Sequence, residues 1–197
     1  LPQPFHLLAH SMGGAIGLRA LHNGLAVNAA VFCSPMWKIN VSIAMRPFVR
    51  WVSFMLRTAG RGMSFAPGRS GLTMRENSAF EDNGLTNDTD HWQYLVAQVR
   101  AHESLALGGP SVRWLDEALR ETWALRHRLP PNALPCLTMI GTADSIVDVG
   151  APSALMRRWP DGQLIEFTGS QHELLMEVPA VRRTVLDAAT RLFQSHA

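Results

Sequence analysis

The sequence has little of what several functional classes require. Its 197 residues contain two cysteines, Cys33 and Cys136, too few for the disulfide framework of a small secreted domain. Each lies in an apolar, strand-like run, where a free thiol behaves as a small hydrophobic group. This usage favours a reducing compartment and predicts a cytoplasmic location. Because no window of about 18 uncharged apolar residues occurs, the sequence predicts no transmembrane helix.

Charged residues are also sparse and dispersed. The 18 Lys and Arg residues, most of them Arg, are scattered among apolar positions and leave a net charge of +2. Nucleic-acid-binding domains instead gather positive charge on one face or in runs. The sequence therefore predicts no nucleic-acid partner.

The two ends of the chain alternate between strand-like and helical patterns. Short apolar runs predict strands, and amphipathic patterns between them predict helices. Strand–helix–strand connections of this kind build parallel sheets, so we predict an α/β fold. The predicted strands are 4–9, 27–33, 135–141 and 163–167, and the predicted helices are 15–24, 151–159 and 178–194.

The middle of the chain has a different pattern. It contains most of the six tryptophans and shows no strand pattern, only helical patterns at 41–58, 91–107 and 111–127. Asn87, Asp88 and Ser111 are candidate N-cap residues for the later two. We expect the middle tryptophans and methionines to fill a core. The predicted organisation is a core of residues 1–35 and 130–197 with a helical insertion, 36–129.

A serine lies at the sharp turn between the first strand and the first helix. In the segment from Ala9 to Gly13, small residues stand two positions before and two after Ser11, as in a nucleophile elbow. Such a turn lifts the hydroxyl above the sheet and directs the Met12 backbone N–H toward a helix N-terminus that can hold an oxyanion. The alternative is a glycine turn that happens to contain serine.

An acid and a histidine follow in the order that this kind of site requires. Asp144 comes just past the third predicted strand, and His172 lies in the loop after the fourth. Both therefore belong to the carboxyl edge of the sheet, the edge that carries Ser11. Because a serine hydroxyl needs a base and the base needs an acid partner, we predict a Ser11–His172–Asp144 triad.

Rivals exist for two of these roles. Asp148 is a second candidate acid, although its position near Pro152 suits the start of a helix. His10 adjoins Ser11, but neighbouring strand residues point to opposite faces, so we expect a packed structural role. The remaining histidines are expected at surface or core positions.

The sequence predicts no metal site and no cofactor. Glu173 follows His172 directly, but the segment has no second histidine at the spacing of a zinc-binding helix. The acidic stretch 81–90 lacks the alternating ligands and the final Glu of a calcium-binding loop.

Taken together, these segments resemble the α/β-hydrolase superfamily, within it the lysophospholipase and monoacylglycerol lipase branch. The resemblance lies in "AHSMGG" (9–14), "GTADSIVD" (141–148), "QHELLMEVP" (171–179), "NGLTNDTDHW" (83–92) and "LALGGPSVRWLDEAL" (105–119). It implies catalytic roles for Ser11, Asp144 and His172 and an oxyanion donor at the Met12 N–H. It also implies a cap domain over an acyl pocket.

The sequence departs from this branch at its beginning. Members carry several strands before the elbow, and a loop there supplies the second oxyanion N–H. We therefore expect residues 1–197 to be the C-terminal two-thirds of a hydrolase. Since the first residue is Leu1 rather than Met, a signal peptide stays an open alternative.

The expected activity is that of a serine carboxylic-ester hydrolase acting on a monoacyl lipid, a lysophospholipid or a monoacylglycerol. Two alternatives stay open: an esterase or aminopeptidase of the same fold on small soluble substrates, and a non-catalytic ligand-binding module. The segment 41–58 is apolar nearly all round, with Arg46, Arg50 and Arg57 as its charges. It either contacts a membrane surface or packs over the active site, and we favour packing. In either case, Pro47 is expected to interrupt a single long helix.

Overall fold

A parallel four-stranded sheet organises the two ends of the chain. The computed structural model describes residues 3–39, 46–66, 79–106, 108–131 and 134–197. The strands are β1 (His6–His10), β2 (Ala29–Cys33), β3 (Cys136–Gly141) and β4 (Gly162–Phe167). They lie in the order β1-β2-β3-β4, and each neighbouring pair is parallel. The predicted α/β class and the predicted strands are confirmed, with boundaries that differ by up to two residues.

Three helices belong to the same part of the chain. Helix α1 (Met12–His22) begins directly after Ser11, earlier than predicted. Helix α5 (Gly150–Met156) follows β3, and helix α6 (Pro179–Ser195) follows β4. Proline suits the first position of α6, where its missing N–H is not needed. Past the end of α1, Gly24 has φ 93°, a left-handed conformation that favours glycine.

Both faces of the central strands are covered by apolar side chains. On one face, Val31 and Cys33 of β2 belong to a buried cluster with Val185 of α6. On the other, the ring of Phe32 lies 5.1 Å from that of Trp37 and 6.4 Å from that of Trp159. Alternate residues of β2 therefore serve opposite faces, which explains why the whole strand is buried and apolar.

The middle of the chain is helical in its described residues. It contains α2 (Arg46–Thr58), α3 (Thr89–Ala101) and α4 (Val112–His127), with short 3₁₀ turns at Phe80–Asp82 and Glu103–Leu105. Residues 41–45 of the predicted 41–58 helix lie outside the described residues. Pro47 is the second residue of α2, a position that tolerates proline.

The helix caps were predicted in part. Ser111 is confirmed as the cap of α4, because its Oγ accepts a hydrogen bond from the Trp114 N–H at 3.2 Å. The prediction of Asn87 as a cap was wrong. Its side-chain amide donates to the Glu177 carboxylate at 3.1 Å and to the Gly169 carbonyl at 2.9 Å.

The tryptophans of the middle segment divide into two groups. The expectation that they fill a core is right for Trp37 and Trp92, which are buried. It is wrong for Trp51, Trp114 and Trp123, which are exposed. Hydrophobicity alone does not decide burial, since much of a folded protein's surface is apolar.

The chain divides into two compact units. One consists of Leu1–Ile39, Gly84–Asp88 and Thr122–Ala197, and the other of Asn40–Asn83 and Thr89–Glu121. The first unit contains the sheet, and the second contains α2 and α3. Of the helices in the described ranges, none combines the length and hydropathy needed to cross a bilayer.

Candidate active site

Ser11 occupies a strained turn at the carboxyl end of β1. Its backbone has φ 50° and ψ −122°, a left-handed conformation that is rare for a residue with a Cβ. Surrounding bonds hold it there: the Ser11 N–H donates to the Cys33 carbonyl at 3.1 Å, and the Met36 N–H donates to the Ser11 carbonyl at 2.8 Å. Strain maintained in this way is typical of functional sites.

The steric requirement of the turn falls on a different glycine from the one expected. A Cβ added to Gly14 would stand 2.6 Å from the Pro35 Cβ, so this position admits no side chain without a backbone shift. A Cβ on Gly13, by contrast, meets no such neighbour within 4 Å. Close packing of α1 against the residues after β2 therefore constrains the elbow at its third position after the serine.

Asp144 lies in the loop after β3 and is fixed by its own backbone. Its Oδ1 accepts hydrogen bonds from the N–H groups of Ile146 at 2.8 Å and Val147 at 3.1 Å. Such local bonds are characteristic of Asp in turns. They leave Oδ2 to face another partner.

The structure brings Ser11, Asp144 and His172 together. The His172 Nδ1 lies 2.7 Å from the Asp144 Oδ2, and the His172 Nε2 lies 2.8 Å from the Ser11 Oγ. The imidazole is 3% exposed, and the carboxylate side chain is fully covered. An ionised carboxylate only accepts, so Nδ1 carries the proton and donates to Asp144, which leaves Nε2 to accept from the serine hydroxyl.

This arrangement can activate a nucleophile. A hydroxyl bonded to the acceptor nitrogen of an imidazole can transfer its proton as it attacks a carbonyl carbon. The carboxylate fixes the tautomer and stabilises the imidazolium that forms. Met12 opens α1 directly after the serine, so its N–H lies at the helix N-terminus, where a developing negative charge is favoured.

The rival acid has other partners. Asp148 forms an ion pair with Lys38, and its Oδ1 accepts from the Ala151 N–H at 2.9 Å, near the start of α5. These contacts fit the predicted helix-opening role of Asp148.

His10 has a polar environment that the sequence did not indicate. Its Nδ1 is 3.0 Å from the Cys33 carbonyl oxygen, and its Nε2 is 3.1 Å from Glu173 Oε1. The second contact is an ion pair when His10 is protonated. The ring lies 4.8 Å from that of His172.

The His10–Glu173 contact favours the charged form of both side chains. Burial lowers the pKa of His10, but the contacts with Glu173 and the Cys33 carbonyl outweigh it and leave the pKa raised. Burial likewise raises the pKa of Glu173, and the opposing effect of His10 leaves it lowered. The nitrogen and oxygen atoms of His10, His172 and Glu173 fall within 4.8 Å of one another, close enough to hold a metal ion. However, both ring nitrogens of His172 already bond to Asp144 and Ser11.

A glycine and a buried carboxylate near His172 were not predicted from the sequence. A Cβ on Gly141 would stand 2.3 Å from the carbonyl oxygens of Ser170 and Gln171, so the loop carrying the histidine closes directly on the end of β3. Glu177, five residues after His172, is completely buried. Its sequence context did not indicate this burial. A fully buried carboxylate requires hydrogen-bond partners, and one of them, Asn87, lies ninety residues away in sequence.

Comparison with known families decides the relationship. The family model described as serine aminopeptidase, S33, matches residues 2–179. The chain belongs to this family. Curated relatives of this S33 member include the probable lysophospholipase L2 of Haemophilus influenzae, 28% identical over 182 residues, which cover 92% of this chain and 56% of the relative. The lysophospholipase L2 of Escherichia coli K12 is 25% identical over 203 residues, covering 97% of this chain and 58% of the relative.

A solved structure confirms the fold class. A soluble variant of monoglyceride lipase from Saccharomyces cerevisiae, in complex with a substrate analogue, superimposes with a TM-score of 0.71 at 18% identity. The match covers 99% of this S33 family member and 66% of the yeast chain. The fold is therefore that of the α/β-hydrolases. The chain spans somewhat more than half the length of the two curated relatives.

Proposed function

We propose that the protein is a serine carboxylic-ester hydrolase that cleaves a monoacyl lipid, either a lysophospholipid or a monoacylglycerol. Similarity to the lysophospholipases L2 of Haemophilus influenzae and Escherichia coli supports this class of reaction and substrate. The single observation that carries the proposal is the continuous hydrogen-bonded chain from Ser11 through His172 to Asp144.

In the proposed reaction, Ser11 Oγ attacks the ester carbonyl carbon while His172 Nε2 takes the serine proton. The Met12 N–H donates to the oxyanion that forms. The proton then passes from Nε2 to the departing alcohol, which leaves an acyl ester on Ser11. Water repeats the sequence and releases the fatty acid. Each of these steps uses only groups of the chain, the substrate and water, so we propose that the reaction needs no cofactor.

The helical segment is proposed to select the acyl chain and to contact lipid surfaces peripherally. Phe48, Trp51 and Phe54 follow at three-residue intervals along α2 and are 55%, 61% and 63% exposed. Residues spaced in this way share one side of a helix, and aromatic side chains there suit a membrane interface. We propose that residues 36–129 form this substrate-selecting insertion and that residues 1–35 and 130–197 form the hydrolase core.

A cytoplasmic location, with such peripheral membrane contact, is proposed from the cysteines. Cys33 and Cys136 are free and buried. Burial raises the pKa of each thiol to about 12, which keeps both in the unreactive protonated form.

Covalent labelling tests the proposed nucleophile. A fluorophosphonate probe should add once to the wild-type protein by intact mass, and Ser11→Ala and His172→Ala should each abolish the addition. Ser153→Ala is the matched control, because Ser153 is a serine of α5 whose hydroxyl bonds to the Val149 carbonyl. Labelling of the wild type no faster than that of Ser11→Ala would contradict the proposal and favour a ligand-binding module.

Ester hydrolysis across a series of acyl lengths tests the substrate class. If the substrate is a monoacyl lipid, kcat/KM should rise with chain length, since each buried methylene contributes about 0.8 kcal/mol, or roughly fourfold. A constant or falling kcat/KM would instead favour small soluble esters, and cleavage of amino-acid amides would favour an aminopeptidase.

A further inference from the structure

The short segment Gly84–Asp88, here called the strap, has an unusual place in the chain. It belongs to the compact unit that contains the sheet, whereas the chain on both sides of it belongs to the other unit. Its partners lie in residues 168–178, the loop between β4 and α6 that carries His172, here called the histidine loop. Such grouping of a five-residue segment away from its sequence neighbours needs specific contacts.

The first group of contacts centres on a buried carboxylate. Glu177 is 0% exposed, and its Oε1 accepts from the Gln171 N–H at 2.8 Å, the Asn87 side-chain amide at 3.1 Å and the Asn87 N–H at 3.3 Å. Its Oε2 accepts from the Val178 N–H at 3.1 Å. Hydrogen bonds to an ionised acceptor are about twice as strong as neutral ones, so the carboxylate binds strap and loop firmly.

The second group fixes the orientation of the Asn87 amide. Its nitrogen donates to the Gly169 carbonyl at 2.9 Å as well as to Glu177, and its oxygen accepts from the Gln171 Nε2 at 3.0 Å. Each hydrogen and the oxygen of the amide therefore has a partner in the histidine loop. No other side-chain type offers this set of donors and acceptor in the same shape and length.

The third group runs through the strap's own backbone and its threonine. The Glu173 N–H donates to the Leu85 carbonyl at 2.7 Å, and the Thr86 Oγ1 donates to the Met176 carbonyl at 2.7 Å. The same Oγ1 accepts from the Asp88 N–H at 3.0 Å. Thr86 is completely buried, so solvent does not compete for these bonds.

These contacts meet on both sides of His172. The preceding backbone N–H, that of Gln171, is held by Glu177, and the following one, that of Glu173, is held by the strap carbonyl of Leu85. The imidazole between them must keep both the 2.7 Å contact with Asp144 and the 2.8 Å contact with Ser11. A displacement of about 1 Å in such a relay can reduce the rate about 100-fold.

We propose that Thr86, Asn87 and Glu177 are positioning residues that hold His172 in register with Asp144 and Ser11. This inference rests on the proposed hydrolase function for its kinetic consequences only. The strap thus makes a segment of the middle region a determinant of the geometry of the site.

Two substitutions test the proposal in the full chain. Glu177→Gln keeps the side-chain size but replaces one carboxylate oxygen with an N–H donor, which then opposes an N–H of the network. Asn87→Ala removes the amide contacts at an exposed position where folding should tolerate the change. We expect kcat and the fluorophosphonate labelling rate to fall about 10- to 100-fold for Glu177→Gln and about 3- to 10-fold for Asn87→Ala, with KM nearly unchanged.

The controls separate positioning from stability. Glu166→Gln removes a carboxylate from β4 that accepts a hydrogen bond from the Ser153 hydroxyl at 3.5 Å. Leu125→Ala opens a cavity at a buried position of α4 and lowers Tm. Both should keep the wild-type labelling rate at a temperature well below their Tm.

Thr86→Val should slow labelling, and Thr86→Ser, which restores the hydroxyl, should recover it.

An NMR measurement keeps the proposal separable from the proposed function. The His172 Nδ1–H proton bonded to Asp144 should give a far-downfield signal that His172→Ala lacks. Glu177→Gln should shift or broaden it, while Glu166→Gln should not. If the wild type shows this signal but no hydrolysis, the proposed function fails and positioning is judged from the signal. If Glu177→Gln lowers Tm but leaves signal, kcat and labelling rate intact, the positioning role is overturned.

Discussion

The serine turn and the histidine loop are held by different physical means. Ser11 is fixed by backbone geometry, through a left-handed φ of 50° and the close approach of Gly14 to Pro35. His172 is fixed by polar contacts, through the Asp144 carboxylate and the buried Glu177. The serine turn thus depends on steric fit, and the histidine loop depends on hydrogen bonds and charge.

This difference predicts different vulnerabilities. Steric fit fails when volume is added, whereas a polar network fails when charge or a donor is changed at constant volume. Substitutions chosen along these lines should therefore affect stability at the serine turn and catalysis at the histidine loop.

The largest effect is expected from Asp144→Asn, which alters the polar relay without altering its size. The new amide N–H would face the His172 Nδ1, so the ring would adopt the tautomer whose Nε2 carries the proton and cannot accept from Ser11. We expect kcat to fall about 10⁴-fold in ester hydrolysis. Asp148→Asn is the matched control and should retain most of the activity. A larger loss from Asp148→Asn than from Asp144→Asn would reassign the acid.

A smaller effect is expected where volume is added to the serine turn. Gly14→Ala should destabilise the protein by about 1–3 kcal/mol, because its Cβ would overlap Pro35. Gly13→Ala, one position earlier in α1, should be neutral or stabilise by up to about 1 kcal/mol, since alanine is the better helix former. Urea unfolding of both variants measures the difference. Equal stabilities would show that close packing does not constrain this turn.

The smallest effect is expected from the His10–Glu173 pair, and it depends on pH. His10 has a pKa raised above its ordinary 6.5, so its contribution to stability is complete below that value and is lost as pH rises through the folded-state pKa. Glu173 has a pKa lowered below its ordinary 4.5, so its contribution is present above that value and is lost as pH falls through the folded-state pKa. The pair therefore stabilises most between pH 4.5 and 6.5.

Thermal unfolding across a pH series checks this expectation. The Tm difference between wild type and Glu173→Gln should be greatest in that window, about 2–4 °C, and should shrink at higher pH. Asp148→Asn, which breaks a pair containing lysine, should show no such decline near neutral pH. A difference that grows as pH rises would contradict the ionic pair.

The elements of the core were predictable because each depends on local pattern. The strands at Ala29–Cys33 and Cys136–Gly141 are short apolar runs bounded by turns, and their order along the chain implies a parallel sheet. The same order brings the residues that follow β1, β3 and β4 to one edge. The proximity of Ser11, Asp144 and His172 could therefore be predicted from the order of the strands, without a measured distance.

The supports of His172 were not predictable in this way. Asn87 has the sequence context of a helix cap, yet its amide bonds to Glu177, ninety residues further along the chain. Trp51 and Trp123 are large apolar residues of the kind expected in a core, yet both are exposed. The partners of Asn87 lie far away in sequence, and hydrophobicity alone does not decide whether a tryptophan is covered.

The sequence by itself determined the alternation of strands and helices, the small residues around Ser11 and the order of serine, acid and histidine. These follow from local sterics and from hydrophobic periodicity, which act over a few residues. Only the tertiary structure decided that Gly14 rather than Gly13 is sterically constrained, that Asp148 pairs with Lys38, and that the strap holds the histidine loop. Those outcomes depend on which distant groups meet, because close packing and buried hydrogen bonds are satisfied only when the whole chain has folded.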